Sequence, residues 1–117
     1  MALHNEVGLK GEVLAEKYFT DRGYTVLFRN WRYLRCEIDL ILTKNEVLHI
    51  VEVKTRRTQT FGYPEEAVNT KKLRRLIKAG AAFLQLHPQW KRVQYNILSI
   101  NIYKNKTEYF LIEDVYI

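Results

Sequence analysis

Apolar residues of the N-terminal segment recur at helical spacing, Val7, Leu14, Ala15, Tyr18 and Phe19, and Gly23 stands where a helix end wants a residue free to turn. The pattern predicts a helix over 5–22. Tyr24 to Trp31 is rich in strand-forming residues, Cys36 to Leu42 follows, and Lys44-Asn45 reads as a turn into a partner strand from Glu46 to Lys54. Thr55 to Asn69 reads as a loop, because Phe61-Gly62-Tyr63-Pro64 would break any regular element. A second helix is predicted from an Asn69 or Thr70 cap to about Gln85. It sets Leu73, Leu76, Ile77, Ala81 and Leu84 inward and Lys71, Arg74, Arg75 and Lys78 outward. Val93 to Tyr103 and Thr107 to Ile112 then flank Lys104-Asn105-Lys106 as a closing hairpin. The order α-β-β-β-α-β-β predicts one mixed α/β domain over residues 1–117, a central sheet of about five strands flanked by helices.

The strands carry charges where a buried strand should have none. A two-residue turn at Lys44-Asn45 sets residues whose numbers sum to 89 opposite one another, so Glu37 faces Glu52 and Asp39 faces Ile50. Alternation then puts Glu37, Asp39, Glu52 and Lys54 on one face and Ile38, Leu40, Leu42, Val51 and Val53 on the other. Ile41, Leu48 and Ile50 are apolar too, so the charged face is itself covered and the carboxylates sit at the rim of a core. Cross-strand charges on a solvated face would be an ordinary salt-bridge pattern of small energetic weight. Carboxylates crowded at a core rim instead repel one another, and a cation relieves that conflict. Oxygen ligands without histidine or thiolate suit Mg²⁺ or Mn²⁺, which keep several waters and take phosphate oxygens as further ligands. Lys54 is placed to orient or deprotonate an attacking water, or to hold a phosphate.

Composition narrows the partner. Lys and Arg outnumber Asp and Glu, leaving a net charge of +6 and a pI near 9.5, which favours polyanions such as nucleic acid. Arg56 and Arg57 follow the charged strand directly, and with Lys71, Arg74, Arg75 and Lys78 they can hold a phosphate backbone beside the acids. Phe61 and Tyr63 are expected to pin their loop to the core rather than stack on a base. The lone cysteine, Cys36, excludes an internal disulfide framework and reads as a small buried hydrophobe. No leader-like segment or apolar run of membrane-spanning length is visible, so a cytoplasmic protein without a membrane partner is expected.

The ordered residues Gly8, Gly11-Glu12, Ala15, Tyr18, Gly23-Tyr24, Arg29-Asn30, Arg32, Glu37-Ile38-Asp39-Leu40-Ile41, Val51-Glu52-Val53-Lys54-Thr55-Arg56, Phe61-Gly62, Pro64, Glu66-Ala67-Val68 and Lys71-Lys72 form a recognisable pattern. It resembles the YraN-like family of small bacterial proteins, assigned to the restriction-endonuclease-like fold, similar to archaeal Holliday-junction resolvases, with a PD-(D/E)XK catalytic signature. The resemblance implies that Asp39, Glu52 and the Val53 carbonyl bind the metal, that Lys54 positions the water, and that Glu12 supports the metal directly or through water. By itself Glu12 would read as a solvated helix residue on a face whose small residues, Gly8, Gly11 and Ala15, allow close approach to the sheet. Two departures stand out: Cys36 occupies a position usually held by glycine, and Tyr95-Asn96-Ile97-Leu98 replaces a stretch that usually contains an aspartate.

The expectation is therefore a Mg²⁺- or Mn²⁺-dependent endonuclease acting on DNA, branched or otherwise structured DNA included, with a homodimer compatible with symmetric cutting. The rival is a nucleic-acid-binding module without turnover, or a subunit of a repair or uptake complex. An acidic cluster at a core rim favours the first, since a pure binder has no use for it.

Overall fold

The computed structural model describes residues 3–57 and 69–115, with side chains from Val7 onward. Helix α1 (Leu3–Thr20) leads into strands β1 (Thr25–Tyr33), β2 (Cys36–Lys44) and β3 (Val47–Arg57). Helix α2 (Thr70–Leu86) follows, then β4 (Val93–Ile102) and β5 (Thr107–Ile112). The element order is the expected one. All five strands form a single sheet in the order β1-β2-β3-β4-β5, with β3 and β4 parallel and the other pairs antiparallel. A parallel pair needs a crossover, and α2 lies in the connection that supplies it.

Each helix covers one face. Ala15 and Phe19 of α1 bury against Leu40, Leu42, Val51, Leu98, Ile100 and Ile102. Leu73, Leu76, Ala79 and Phe83 of α2 bury against Ile38, Ile41, Leu48 and Ile50. This three-layer arrangement explains why β2 and β3 are apolar on both faces, as parallel-type central strands are. Within α2 the buried stripe runs through Ala79, Gly80 and Ala82, whereas Ala81, expected inward, is exposed and Leu84 is only half-buried. Asn69 caps the helix, its Oδ1 accepting from the amides of Lys71 at 3.0 Å and Lys72 at 3.2 Å.

The turn between β2 and β3 falls one residue later than predicted. Asn45 and Glu46 both take left-handed backbone, φ 51° and 66°, the requirement of the tight turn that suits hairpin twist, and Lys44 stays in the strand opposite Val47. Opposed residues therefore sum to 91, as in Leu40 with Val51 and Ile41 with Ile50, rather than 89. Glu37 does not face Glu52, nor Asp39 Ile50. The shift is two in the sum, so the parity that assigns residues to faces survives it. One assignment still fails: Ile38 packs with Ile41 and Ile50 on the α2 side instead of with Leu40. Alternation breaks at Asp39.

β3 continues through Arg57, which shortens the expected loop, and residues 58–68, with Phe61, Tyr63 and the expected Glu66-Ala67-Val68 block, lie outside the described residues. Asn96 is fully buried, donating to His49 Nδ1 at 3.0 Å and accepting from the Asp114 amide at 3.0 Å. Burial pushes the His49 imidazole below its usual range, and a ring that accepts from an amide N–H is the neutral form. Asparagine at this position thus ties β3, β4 and the chain beyond β5 together without a buried charge.

Of the small residues on α1, Gly11 sets the approach to the sheet and Gly8 does not. A Cβ at Gly11 would stand 1.8 Å from Thr55 Oγ1 and 2.8 Å from its Cβ, while one at Gly8 would meet nothing within 4 Å. Gly11→Ala is expected to lower stability by about 1–3 kcal/mol through overpacking, and Gly8→Ala to raise it by up to ~1 kcal/mol through helix propensity. Urea unfolding of the two variants beside the wild type measures both, and equal effects would refute the assigned seam.

Candidate active site

The β2–β3 ladder ends at Leu40 and Val51. Beyond it the strands part, and the Asp39 carboxylate enters the gap: its Oδ2 accepts the Val53 amide at 2.7 Å, where a ladder would have supplied a backbone carbonyl. Asp39 consequently lines two cavities at once. One, of about 190 Å³, opens beside α2 and is lined by Arg35, Cys36, Glu37, Asp39, Glu52, Lys72, Arg75 and Leu76. The other, of about 200 Å³, opens beside α1 and includes Glu12, Glu16, Arg29, Asn30 and Asp39. The N–H and C=O of one residue leave a strand on the same side, so the Val53 carbonyl also faces the gap that Asp39 occupies.

Burial is the main force on Asp39, with the carboxylates of Glu52, Glu37 and Glu12 adding to it and the Val53 amide opposing; together they raise its pKa from 3.8 to about 7. Glu12 and Glu37 are linked through Asn30. Carboxylate oxygens only accept, so the amide nitrogen of Asn30 faces them, 3.1 Å from Glu12 Oε1 and 3.2 Å from Glu37 Oε1. Asn30 reaches this position from left-handed backbone, φ 51°, which asparagine tolerates better than most residues. The second oxygen of Glu37 pairs with Arg32 at 2.9 Å, so both of its oxygens are engaged and its part is to support. Glu16 is likewise held by Arg29 in a two-point ion pair at 2.5 and 2.7 Å, which holds the Glu16 carboxyl below its usual range.

The expected site residues are thus partly gathered. Asp39 and Glu52 share the α2-side cavity, and Glu12 reaches Asp39 from the opposite side of the gap. Lys54, half-buried and in register with Ser99 of β4, lies two residues beyond Glu52 on the same face, and it is not among the residues lining these two cavities. Arg75 lines the acidic cavity, while Lys71, Arg74, Lys78, Arg56 and Arg57 are exposed and do not line it. Cys36 is half-buried beside the acids rather than sealed in the core. Sequence reasoning overlooked Arg35 and Lys72, which line the cavity, and Asn30. Lys72 immediately follows Lys71 near the helix cap, and an asparagine inside a strand-forming run is a cue for a backbone irregularity.

Whether these donors suit a hard divalent cation depends on their number and kind. Among the described residues no three His, Cys, Asp or Glu side chains are grouped to hold a metal ion. The described residues therefore form no all-carboxylate cage. Mg²⁺, however, is commonly bound by one or two carboxylates with waters and substrate phosphates, and Asp39, Glu52 and the Val53 carbonyl are oxygen donors of that kind. The donor chemistry fits on those terms.

A three-layer mixed α/β domain with a cluster of carboxylates in the fork between two central strands is the class of protein that fold and site define. The chain belongs to the uncharacterised protein family UPF0102, whose model matches residues 11–103. It is 40% identical over 100 residues to the UPF0102 protein of Bacteroides thetaiotaomicron, covering 86% of this chain and 83% of that one. The corresponding protein of Christiangramia forsetii is 36% identical over 116 residues, 99% of this chain and 98% of its own. That of Flavobacterium johnsoniae is 44% identical over 84 residues, 72% and 68% respectively. Among the described residues no helix is long and apolar enough to cross a membrane.

The raised Asp39 pKa has a stability consequence. Below about pH 4 the group is protonated folded or unfolded and contributes nothing; between pH 4 and 7 the folded state binds the extra proton, so stability falls as pH rises, and above 7 the loss is complete. Asp39→Asn, which keeps an acceptor for the Val53 amide, is expected to gain at least ~1 kcal/mol at pH 8 in metal-free buffer. The gain should vanish near pH 4. Thermal melts across this range check it, and a pH-independent difference would overturn the electrostatic account.

Proposed function

We propose that this protein is a metal-dependent nuclease built on the restriction-endonuclease-like plan, hydrolysing phosphodiester bonds in DNA, structured or branched DNA included. The observation that carries the reading is Asp39 itself: a carboxylate held in the fork of the sheet, pushed to about pH 7 by burial and three neighbouring acids, in a cavity that also presents Arg35, Lys72 and Arg75. Perturbed carboxylates in a cleft are more often found where chemistry is done than where a fold is merely held together.

Asp39, Glu52 and the Val53 carbonyl would hold Mg²⁺ or Mn²⁺, with Glu12 assisting directly or through water. When bound, such an ion offsets the crowded negative charge and polarises a phosphate oxygen. Lys54 would orient the attacking water, its ammonium placed to donate a hydrogen bond and to offset charge on the phosphate. Arg35, Lys72 and Arg75 draw the scissile phosphate into the acidic cavity, which would otherwise repel it. Arg56, Arg57, Lys71, Arg74 and Lys78 contact the flanking backbone. A homodimer would supply the second site that symmetric cutting of a junction needs, and the reading assigns the protein to the cytoplasm, where a lone thiol stays reduced.

A second reading, a DNA-binding module without turnover, is favoured by one observation, the absence of a three-carboxylate group among the described residues. The two are separated by incubating the protein with Mn²⁺ or Mg²⁺ and duplex, single-stranded, nicked, flapped and four-way DNA. Lys54→Ala and Asp39→Ala are each expected to lose on the order of 10²-fold or more in cleavage rate. Cleavage that survives both would sink the nuclease reading. Calorimetry with Mn²⁺ should give binding that disappears in Glu52→Gln, whereas equal uptake by that variant would remove Glu52 from the ligand set.

A further inference from the structure

A larger cavity, of about 460 Å³, lies at the other end of the same sheet face. It is lined by Thr43, Glu46, Gln89, Trp90, Lys91 and Arg92. Trp90 packs against the α2-side core, and Thr43 stands opposite Leu48, a member of that core, so this cavity and the basic side of the acidic one open on the same side of the sheet. Thr43 lies four residues along β2 from Asp39, roughly 13 Å at strand rise. The exposed cations of α2, Arg74, Arg75 and Lys78, share that side of the sheet.

The lining has a definite chemistry. Among the described residues it contains one large aromatic ring, two cations on consecutive residues, two neutral hydrogen-bonding side chains and a single carboxylate. The apolar part of this lining is the flat face of Trp90 and the stems of its polar neighbours, which suits a planar ring, and one carboxylate is too few for a dedicated hard-metal site. A flat ring carrying a negative group matches every component: the ring stacks on Trp90, and Lys91 and Arg92 take its phosphate. Glu46 can accept only, which suits the exocyclic amino group of adenine, cytosine or guanine. Glu46 is there because the β2–β3 turn is Asn45-Glu46, with left-handed backbone at both residues.

We propose that this cavity binds a nucleobase with its attached phosphate, as a second nucleic-acid contact about four base steps from Asp39 at duplex spacing. The assignment of the base to a DNA strand rests on the nuclease reading; the base-and-phosphate chemistry of the cavity does not. Such a site would favour DNA with an unpaired base near the cut over fully paired DNA.

Binding is measured in divalent-free buffer, with fluorescein-labelled blunt duplex and the same duplex carrying a four-adenine tail at either end of a strand. The tailed duplex is expected to bind the wild type about tenfold more tightly, the scale of one base stacked on an aromatic ring. Trp90→Phe should reduce that preference, Trp90→Ala abolish it, and Arg92→Gln weaken it, with blunt-duplex binding little changed. Trp90 also packs on the core, so Trp90→Phe and Arg92→Gln keep the test valid if the alanine variant does not fold. Deoxyadenosine monophosphate that removes the tail preference identifies a free nucleotide as an occupant, while failure to compete identifies the strand; either supports the base site. Equal binding of both duplexes, or inorganic phosphate competing as well as the nucleotide, overturns it. A protein that prefers the tail yet cleaves nothing refutes the nuclease reading alone. One that cleaves without the preference refutes the base site alone.

Discussion

The bond from the Val53 amide to Asp39 is the constraint on which the rest of the site depends. Two strands that pair from their turn as far as Leu40 and Val51 must either continue pairing or find other partners for their backbone groups. A side chain supplies the partner here, so the sheet can fork without leaving the Val53 N–H unsatisfied. The fork has two results. It gives Asp39 access to both faces of the sheet, and it frees an edge of β3 that a continued ladder would have covered. The carboxylates of Glu12, Glu37 and Glu52 gather around that opening from α1, β2 and β3.

Holding acids together in this way opposes folding stability. A carboxylate that titrates near neutrality because it is buried, and further because its neighbours repel it, is a group the fold tolerates rather than needs. The surroundings limit the penalty with specific partners. Asn30 bridges Glu12 and Glu37, Arg32 takes the other oxygen of Glu37, and Arg29 clamps Glu16. Among the described residues Asp39 and Glu52 are left without a neutralising partner of this kind, and Arg35, Lys72 and Arg75 line the cavity that they share.

Much of this was legible in the sequence, and the places where it was not have physical causes. Helix and strand periods gave the element order, and charges in apolar strands picked out Asp39 and Glu52, because a buried strand has few reasons to carry them. The pattern sets the turn one residue early, since lysine before Asn45 looks as turn-like as glutamate after it, and only backbone φ distinguishes them. Face assignment survived because the error preserved parity. Strict alternation puts Ile38 on the α1 side because it cannot anticipate a fork. Helical spacing sets Ala81 inward because alanine carries too little apolar signal to fix the edge of a helical stripe. Arg35 and Lys72 come near the acids through the path of the chain around β2 and the α2 cap, which no local pattern encodes. The position of Glu12 beside Asp39 came from family resemblance, while the residues alone gave a solvated helix.

The contact between Gly11 and Thr55 reaches further than helix packing. Thr55 adjoins Lys54 in the chain and Gly11 adjoins Glu12, so the missing methyl group at Gly11 works as a calliper: the clearance between one helix and one strand also fixes the span between a carboxylate and an ammonium drawn from opposite sides of the sheet. Such a seam has no gradual adjustment. A change that moved Glu12 relative to Lys54 would have to replace residues of the helix and the strand together, so the two sides of the sheet can vary only as a pair at this seam.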